Sequence, residues 1–308
     1  MTRIMRAFAG LTLLFLAGPA EAEDGAVLSG TLKTILARGS ILIGVREGAI
    51  PFAYTNRGGQ PVGFSVDLCH GIAEDVAAAL SQDLLEPGAP SWQRGIRIAP
   101  VPVAADARLS MMTSGAIDLE CGSTTANAER SKSVAFSPVF FLAGTKLLVR
   151  SDSPARSYRD MAGKTIAVSA GTTNAAVMRG LLPTTFPPIK LAEFPSIDAA
   201  FGALAAGQAD ALASDDILLA GLAMAHPTPG TRLLDELLSF EPYAVMLRRD
   251  DPGFGALVQR SFGRMAAEGR LRALYDQWFL RRLPEGGSLR VPMSTQLSAI
   301  YQALGQPD

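Results

Sequence analysis

Residues 96–120, IRIAPVPVAADARLSMMTSGAIDLE, contain one complete strand–helix–strand unit. The run 96–101 predicts a strand, residues 105–113 have the apolar spacing of a helix, and residues 117–120 predict a short buried strand. Gly115 marks the break between the helix and the second strand. Strands that alternate with helices in this way indicate an α/β fold.

The same alternation extends along the chain in both directions. Upstream, residues 41–45 predict a strand, and residues 65–81 place apolar side chains near helical spacing. Downstream, residues 164–169 predict a strand and residues 172–182 a helix. The pattern continues with strands at 189–194 and 209–213 and with helices at 197–206 and from Asp215 onward. We therefore expect two mainly parallel sheets covered by helices.

The length and the strand pattern favour two lobes. Without its first 22 residues the chain has 286 residues, more than a typical single domain. We predict lobe 1 over residues 23–146, lobe 2 over residues 147–240, and a return to lobe 1 with C-terminal helices over residues 241–308. The extended segments at 134–149 and 240–247 are the expected strands that cross between the lobes.

The N-terminal residues have the features of a cleaved secretion signal. Two arginines precede the apolar run 7–18, and small residues at 20–22 predict a cut after Ala22. The apolar run is shorter than the roughly 20 residues that a membrane-spanning helix needs. A lipid-anchored leader requires a cysteine at the cut, and the first cysteine is Cys69. We expect a soluble, freely diffusing, periplasmic protein.

Composition argues against several classes of function. The formal charge is -1 for the whole chain and -2 without residues 1–22, which gives no basis for nucleic-acid binding. The two histidines, His70 and His226, have no clustered ligands beside them, so we expect no metal and no cofactor. Cys69 and Cys121 could pair in an oxidising compartment, but buried free thiols are the simpler interpretation. We expect a monomer.

Polar side chains are concentrated in residues 120–130, ECGSTTANAER, directly after a predicted buried strand. Loops at the carboxyl ends of strands are where α/β folds place ligands. Ser123 and Thr125 can direct hydroxyl and backbone N–H groups the same way, and Arg130 adds a planar fork that suits a carboxylate. The motif alone is weak, because serine and threonine also cap helices and an arginine beside Glu129 is often a solvated ion pair.

Five separated motifs together resemble the bacterial family 3 extracellular solute-binding proteins, whose amino-acid-binding members serve ABC importers. The motifs are GFSVDL (63–68), CGSTT with the following arginine (121–130), SAGTT (169–173), SDDI (214–217) and EPYAVM (241–246). The resemblance spans about residues 30–283 and implies a two-lobed periplasmic-binding-protein fold (Venus flytrap) that closes about a hinge. Residues 44–47 and 107–108 make the glutamate/aspartate-binding branch the nearest likeness.

The resemblance implies roles for individual residues. Ser123, Thr125 and Arg130 would hold the α-carboxylate of an amino acid, with Thr172 or Thr173 closing on it from lobe 2 at a helix N-terminus, where an anion is favoured. Asp215 would pair with the α-ammonium, although a residue at the start of a helix can instead be an N-cap. Phe64 and Asp67 are expected to be structural.

Two arginines bear on the side chain of the ligand. Arg46 follows the first strand and Arg108 begins a helix, so both are expected near a distal carboxylate or amide, although each can also be a surface charge. A histidine and a hydroxyl of the glutamate/aspartate branch are replaced here by Ile197 and Ala105. Glutamate and aspartate are therefore expected ligands, while their amides or a broader polar range stay open.

The resemblance implies a binding protein that delivers its ligand to an inner-membrane ABC permease by transient docking. Dehydratases of cyclic carboxylic acids use the same two-lobed fold, so an enzyme is the alternative. Catalysis requires a proton donor or base at the reacting carbon, and the sequence places no unassigned group of that kind in the cleft. We therefore expect no enzymatic activity.

Overall fold

The computed structural model describes residues 28–227 and 230–307. The predicted leader and its cut after Ala22 lie outside these residues. The strands are β1 (Ser40–Val45), β2 (Gly48–Ala49), β3 (Ala53–Thr55), β4 (Pro61–Val62), β5 (Arg97–Pro102), β6 (Leu119–Glu120), β7 (Val134–Phe136), β8 (Phe141–Ala143), β9 (Thr145–Arg150), β10 (Thr165–Ser169), β11 (Lys190–Phe194), β12 (Ala211–Asp215), β13 (Thr231–Leu233), β14 (Glu241–Tyr243) and β15 (Met246–Arg248).

The helices follow the predicted alternation. They are α1 (Gly30–Arg38), α2 (Phe64–Ala79), α3 (Arg108–Thr113), α4 (Thr173–Leu181), α5 (Ile197–Ala205), α6 (Asp216–Ala225), α7 (Pro252–Ala267), α8 (Arg270–Tyr275) and α9 (Thr295–Ala303), with 3-10 turns at Arg130–Lys132, Tyr158–Met161 and Leu182–Thr184 and a π-helical turn at Asp276–Leu280. In the described ranges, none of the helices combines the length and the apolar character needed to cross a bilayer.

Each lobe is built on a five-stranded sheet, and the two sheets share one strand pattern. Their orders are β5-β1-β6-β15-β7 and β11-β10-β12-β9-β13. Three neighbouring strands of each sheet are parallel, as expected. The next strand, β15 or β9, is antiparallel to them. This strand begins at the carboxyl ends of the parallel strands, where the chain arrives from the other lobe. The predicted two-lobed α/β fold is therefore confirmed, and each sheet is mixed rather than wholly parallel.

Two strands cross between the lobes side by side. β8 leads from β7 of the first sheet to β9 of the second, and β14 leads back from β13 to β15. The pair is antiparallel, with Glu241 opposite Ala143 and Tyr243 opposite Phe141. The predicted boundary at residue 147 falls inside β9, and the predicted return at residue 241 coincides with the first residue of β14.

Aromatic side chains form the base on which the crossing strands lie. Phe52 contacts Tyr243 of β14 with ring centroids 5.0 Å apart, and Phe141 of β8 stacks on Phe279 at 4.8 Å. Phe64 is fully buried against Phe279, as expected for a core residue. Packed aromatic pairs contribute more than their buried area alone, so this packing stabilises the lobe 1 side of the hinge.

Cys69 and Cys121 form a disulfide, which corrects the simpler expectation of free thiols. Cys69 lies on the inner face of α2, and Cys121 directly follows β6, so packing of the helix on the sheet brings them together. A hydrogen bond joins the same two elements, since the hydroxyl of Ser65 in α2 donates to the carbonyl oxygen of Gly122 at 2.7 Å. The start of the 120–130 loop is therefore fixed to α2 at two consecutive residues.

Removing this disulfide should destabilise the protein by about 2–5 kcal/mol, because the bond closes a long loop in the unfolded chain. The measurement is guanidinium unfolding of the mature protein with and without a reductant. The double variant C69S/C121S serves as the control, since its unfolding midpoint should not respond to the reductant. An equal midpoint for the oxidised and reduced native protein would contradict the pairing.

Candidate functional site

A narrow cavity lies between the lobes, where the carboxyl ends of the parallel strands of both sheets face each other. Such a position is typical of ligand sites in α/β proteins. Seven of the eight predicted site residues line it, together with residues that the sequence did not single out. The lining consists of Arg46, Arg108, Ser123, Thr125, Ser169, Thr172, Thr173, Asn174, Ile197, Ser214, Asp215 and Leu218.

Asp215 is the last residue of β12 and is 4% exposed. It occupies the N-cap position of α6, but its side chain makes no capping hydrogen bond, so the N-cap interpretation is wrong for this side chain. Its carboxylate instead accepts hydrogen bonds from Asn174 Nδ2 at 2.7 Å and from the Tyr243 hydroxyl at 2.5 Å. Among the described residues no cation lies within ion-pair distance of it.

Burial raises the pKa of Asp215 to about 6, and the charge of Glu241 contributes in the same direction. The hydrogen bonds from Tyr243 and Asn174 lower the pKa, because both donors stabilise the ionised carboxylate. The carboxyl group of Asp215 is therefore mostly ionised at pH 7, and its negative charge is buried, which is unfavourable. An ammonium group placed beside it would relieve that cost.

The predicted threonine hydroxyls converge on a residue that the sequence did not assign to the site. Thr125 of lobe 1 and Thr173 of lobe 2 both donate 2.7 Å hydrogen bonds to the same oxygen, Oε2 of Glu241. Ser239 donates to Oε1 at 2.5 Å, and Glu241 is only 2% exposed. A carboxylate on the crossing strand β14 thus joins the two lobes.

Three guanidinium groups are buried on the lobe 1 side. Arg108 donates to Thr124 Oγ1 at 2.8 Å and, across the cleft, to the carbonyl oxygen of Gly171 at 3.4 Å. Burial and the neighbouring charge of Arg108 lower the pKa of Arg46 and of Arg130 to about 10. Both groups stay protonated at pH 7, so the lobe 1 side of the cleft contains buried positive charge.

Arg130 is the predicted site residue that does not line the cavity. Its guanidinium donates a 2.8 Å hydrogen bond to the carbonyl oxygen of Thr125 and lies behind that residue. The side chain therefore supports the loop that carries Thr125. Thr172 also has a structural contact, because it is the N-cap of α4 and accepts from the N–H of Ala175 at 3.2 Å.

Four polar residues of the site were missed by sequence reasoning. Asn174 and Tyr243 hold Asp215, Glu241 joins the threonines, and Glu120 lies fully buried. Neither carboxylate oxygen of Glu120 has a hydrogen-bond partner in the described part of the chain. Its charge raises the pKa of Arg46 and Arg130, so it balances part of the buried positive charge. Glu120, Glu241 and Tyr243 lie in the sequence stretches quoted above, and their positions there could have identified them as site residues.

Comparison with known proteins adds a family. Residues 41–281 match the sequence model of the bacterial extracellular solute-binding proteins, family 3. The glutamate/aspartate import solute-binding protein of Salmonella typhimurium is 31% identical, with 93% of this chain and 92% of that protein covered. The L-glutamate/L-aspartate-binding protein of Pseudomonas aeruginosa is also 31% identical, with 92% and 91% covered. The glutamine-binding protein of Geobacillus stearothermophilus is 33% identical, with 73% and 79% covered.

Solved structures agree in fold. A P235GK mutant of ArgBP from T. maritima has a TM-score of 0.70 and 27% identity and covers 81% of this chain and 99% of its own. The ancestral amino acid-binding protein AncCDT-1, described as a precursor of cyclohexadienyl dehydratase, has a TM-score of 0.68 and 26% identity, with the same shares covered. Both are therefore similar to this chain in fold.

In protein freed of ligand by unfolding and refolding, the carboxyl group of Asp215 should titrate near pH 6. Tyr243→Phe should raise the midpoint further, because the carboxylate loses a hydrogen bond that stabilises its ionised form. The measurement is the carboxyl 13C chemical shift against pH, with the resonance assigned by its loss in Asp215→Asn. A midpoint at the ordinary value of 3.8 would contradict the burial of this group.

Proposed function

This chain belongs to family 3 of the bacterial extracellular solute-binding proteins, and we propose that it is the amino-acid-binding component of an ABC importer. The observation that carries the proposal is the arrangement of charge in the cleft. Asp215 of lobe 2 supplies a buried anion, and Arg46 and Arg108 of lobe 1 supply buried cations to the same cavity. A zwitterionic ligand such as a free amino acid complements the charges of both walls.

The α-ammonium of the ligand pairs with Asp215 in this proposal. An ammonium has three donors and no acceptor, so it suits a carboxylate already oriented by Asn174 and Tyr243. The α-carboxylate lies against Ser123 and Thr125, with the charge of Arg130 behind them. The first turn of α4, at Thr172 and Thr173, presents backbone N–H groups to the same place.

Closure of the lobes completes the site in this proposal. The cleft is bridged by contacts such as the 3.3 Å approach of the Thr125 and Thr173 hydroxyls. The ligand touches lobe 1 through its carboxylate and lobe 2 through its ammonium, so binding shifts the population toward the closed form. The crossing strands β8 and β14 are the hinge.

Arg46 and Arg108 face the side chain of the ligand, which favours a distal carboxylate or carboxamide. Relatives named for glutamate, aspartate and glutamine binding support this range. Ile197 lines the cavity without a polar group to add selectivity, and Ala105 lies farther along the cleft on the side of Arg46. We propose a polar amino acid of the group glutamate, aspartate, glutamine and asparagine.

The setting follows from the same proposal. The family is extracellular, and a leader cleaved after Ala22 would deliver a monomer to the periplasm. There it would dock transiently with an inner-membrane permease, with no nucleic acid, cofactor or metal involved.

The alternative, a dehydratase of cyclic carboxylic acids, is favoured by one observation, the likeness to AncCDT-1. Binding is preferred because Asp215, the acid that lines the cavity, is held by two hydrogen bonds and matched to an ammonium.

The first test is thermal unfolding of the mature protein against the twenty L-amino acids and several cyclic carboxylates. A ligand present at 100 times its Kd stabilises by about 2.7 kcal/mol, which raises the Tm by several degrees. We expect stabilisation by glutamate, aspartate or their amides. Stabilisation by a cyclic carboxylate and by none of the amino acids would replace the proposal with the enzyme alternative.

Arg130→Ala should weaken binding of the stabilising amino acid by about 2 kcal/mol or more, roughly 30-fold in Kd. The substitution removes the buried charge behind the carboxylate and the support of Thr125. Calorimetric titration gives the affinities, and Arg156→Ala, at an exposed position of lobe 2, is the matched control. An unchanged affinity in R130A would remove Arg130 from the site.

A further inference from the structure

A second cavity adjoins the ligand cavity on the side of Arg46. Its lobe 1 wall is formed by residues 46–48 and 102–105, and its lobe 2 wall by residues 195–198. It shares Arg46 and Ile197 with the ligand cavity. A ligand whose α-groups lie at Asp215 and Ser123 would therefore extend its side chain past these two residues into the second cavity.

Arg46 presents an unsatisfied charge to both cavities. It is only 8% exposed, and burial lowers its pKa to about 10. Among the described residues no carboxylate lies within ion-pair distance of its guanidinium, and no side-chain hydrogen bond is donated by it. A ligand that closes this guanidinium off from water must supply an acceptor, because burying an unpaired charge is costly.

Asp198 supplies the opposite charge from the other lobe. Its carboxylate reaches across the cleft to Gly48 of β2, so closely that a Cβ atom at position 48 would displace it. Burial raises the pKa of Asp198, while the charges of His226 and Arg46 lower it. An acid in the first turn of a helix is often only a favourable surface charge. The side chain of Asp198 is exposed to solvent, but it also lies against Gly48 of lobe 1 across the cleft.

The start of α5 does not depend on Asp198. Ser196 is the N-cap of this helix, and its hydroxyl accepts a 3.1 Å hydrogen bond from the N–H of Ala199. The capping requirement is therefore met by a neighbouring residue. The Asp198 carboxylate, which accepts a hydrogen bond from its own backbone N–H, lines the second cavity together with Arg46.

We propose that Asp198 is a specificity-determining residue that selects a distal carboxamide over a distal carboxylate. A carboxamide offers an acceptor oxygen to Arg46 and a donor NH2 group to Asp198, so it satisfies both walls. A carboxylate offers acceptors only and brings a second negative charge to Asp198. A distal ammonium meets the charges of Arg46 and Arg108. The inference rests on the proposed function and narrows its ligand range to glutamine or asparagine.

The test is calorimetric titration of the mature protein with glutamine, asparagine, glutamate and aspartate at one pH near 7.5. The native protein should bind one of the amides on the order of 10-fold more tightly than the corresponding acid. In Asp198→Asn this ratio should fall towards one or reverse, mainly because the acid binds more tightly. Asp152→Asn, an equal charge change at an exposed position of lobe 2, should leave the ratio unchanged.

The outcomes separate this inference from the function on which it rests. Tighter binding of the acids by the native protein, or an unchanged ratio in D198N, would overturn the role of Asp198 and leave an amino-acid-binding protein. Absence of binding for every amino acid would overturn the proposed function and the inference with it. The melting temperature of D198N is measured in parallel to test whether the variant is folded. If D198N is destabilised, the smaller change Asp198→Glu is used in its place. That variant keeps the charge and should keep the preference for the amide.

Discussion

Three guanidinium groups, those of Arg46, Arg108 and Arg130, lie almost out of contact with water on one side of the cleft. Buried charges are tolerated only when other charges or hydrogen bonds compensate them. Glu120 and Glu241 compensate part of this positive charge and are themselves buried. The remainder faces a cavity whose other wall contains Asp215. This balance of unlike buried charges is why the proposed ligand is a zwitterion.

The hinge strand β14 also supports side chains that line the ligand cavity. Glu241 and Tyr243 lie two residues apart on β14, so both side chains point to the same face of the strand. Glu241 accepts hydrogen bonds from the hydroxyls of Thr125 and Thr173, and Tyr243 donates a hydrogen bond to Asp215. A rotation of the lobes about β14 would alter all of these contacts together. Closure and the geometry of the site are therefore coupled through short, direct hydrogen bonds.

Lobe 1 has several contacts that support the residues around the cleft. In lobe 1 the loop after β6 is held to α2 by the disulfide and by the Ser65–Gly122 hydrogen bond. The crossing strands rest on the aromatic base around Phe52 and Phe279. In the proposed mechanism these supports hold the carboxylate end of the site in place, so that lobe 2 brings Asp215 and Asp198 to a preformed surface. Preorganisation of this kind reduces the entropy lost on binding.

The order of strands and helices and the loop that carries Ser123 and Thr125 could be predicted from the sequence, because periodicity and turn residues are local properties. The sequence also determined that both polar loops follow buried strands. The tertiary structure decided which side chains meet there. Thr125 is hydrogen-bonded to Glu241, 116 residues away, and Cys69 is bonded to Cys121, 52 residues away. Asp215 is hydrogen-bonded to Asn174 and Tyr243 rather than to its own helix. Such partners lie on different elements, and their distances depend on how the lobes pack and close, which no local pattern contains.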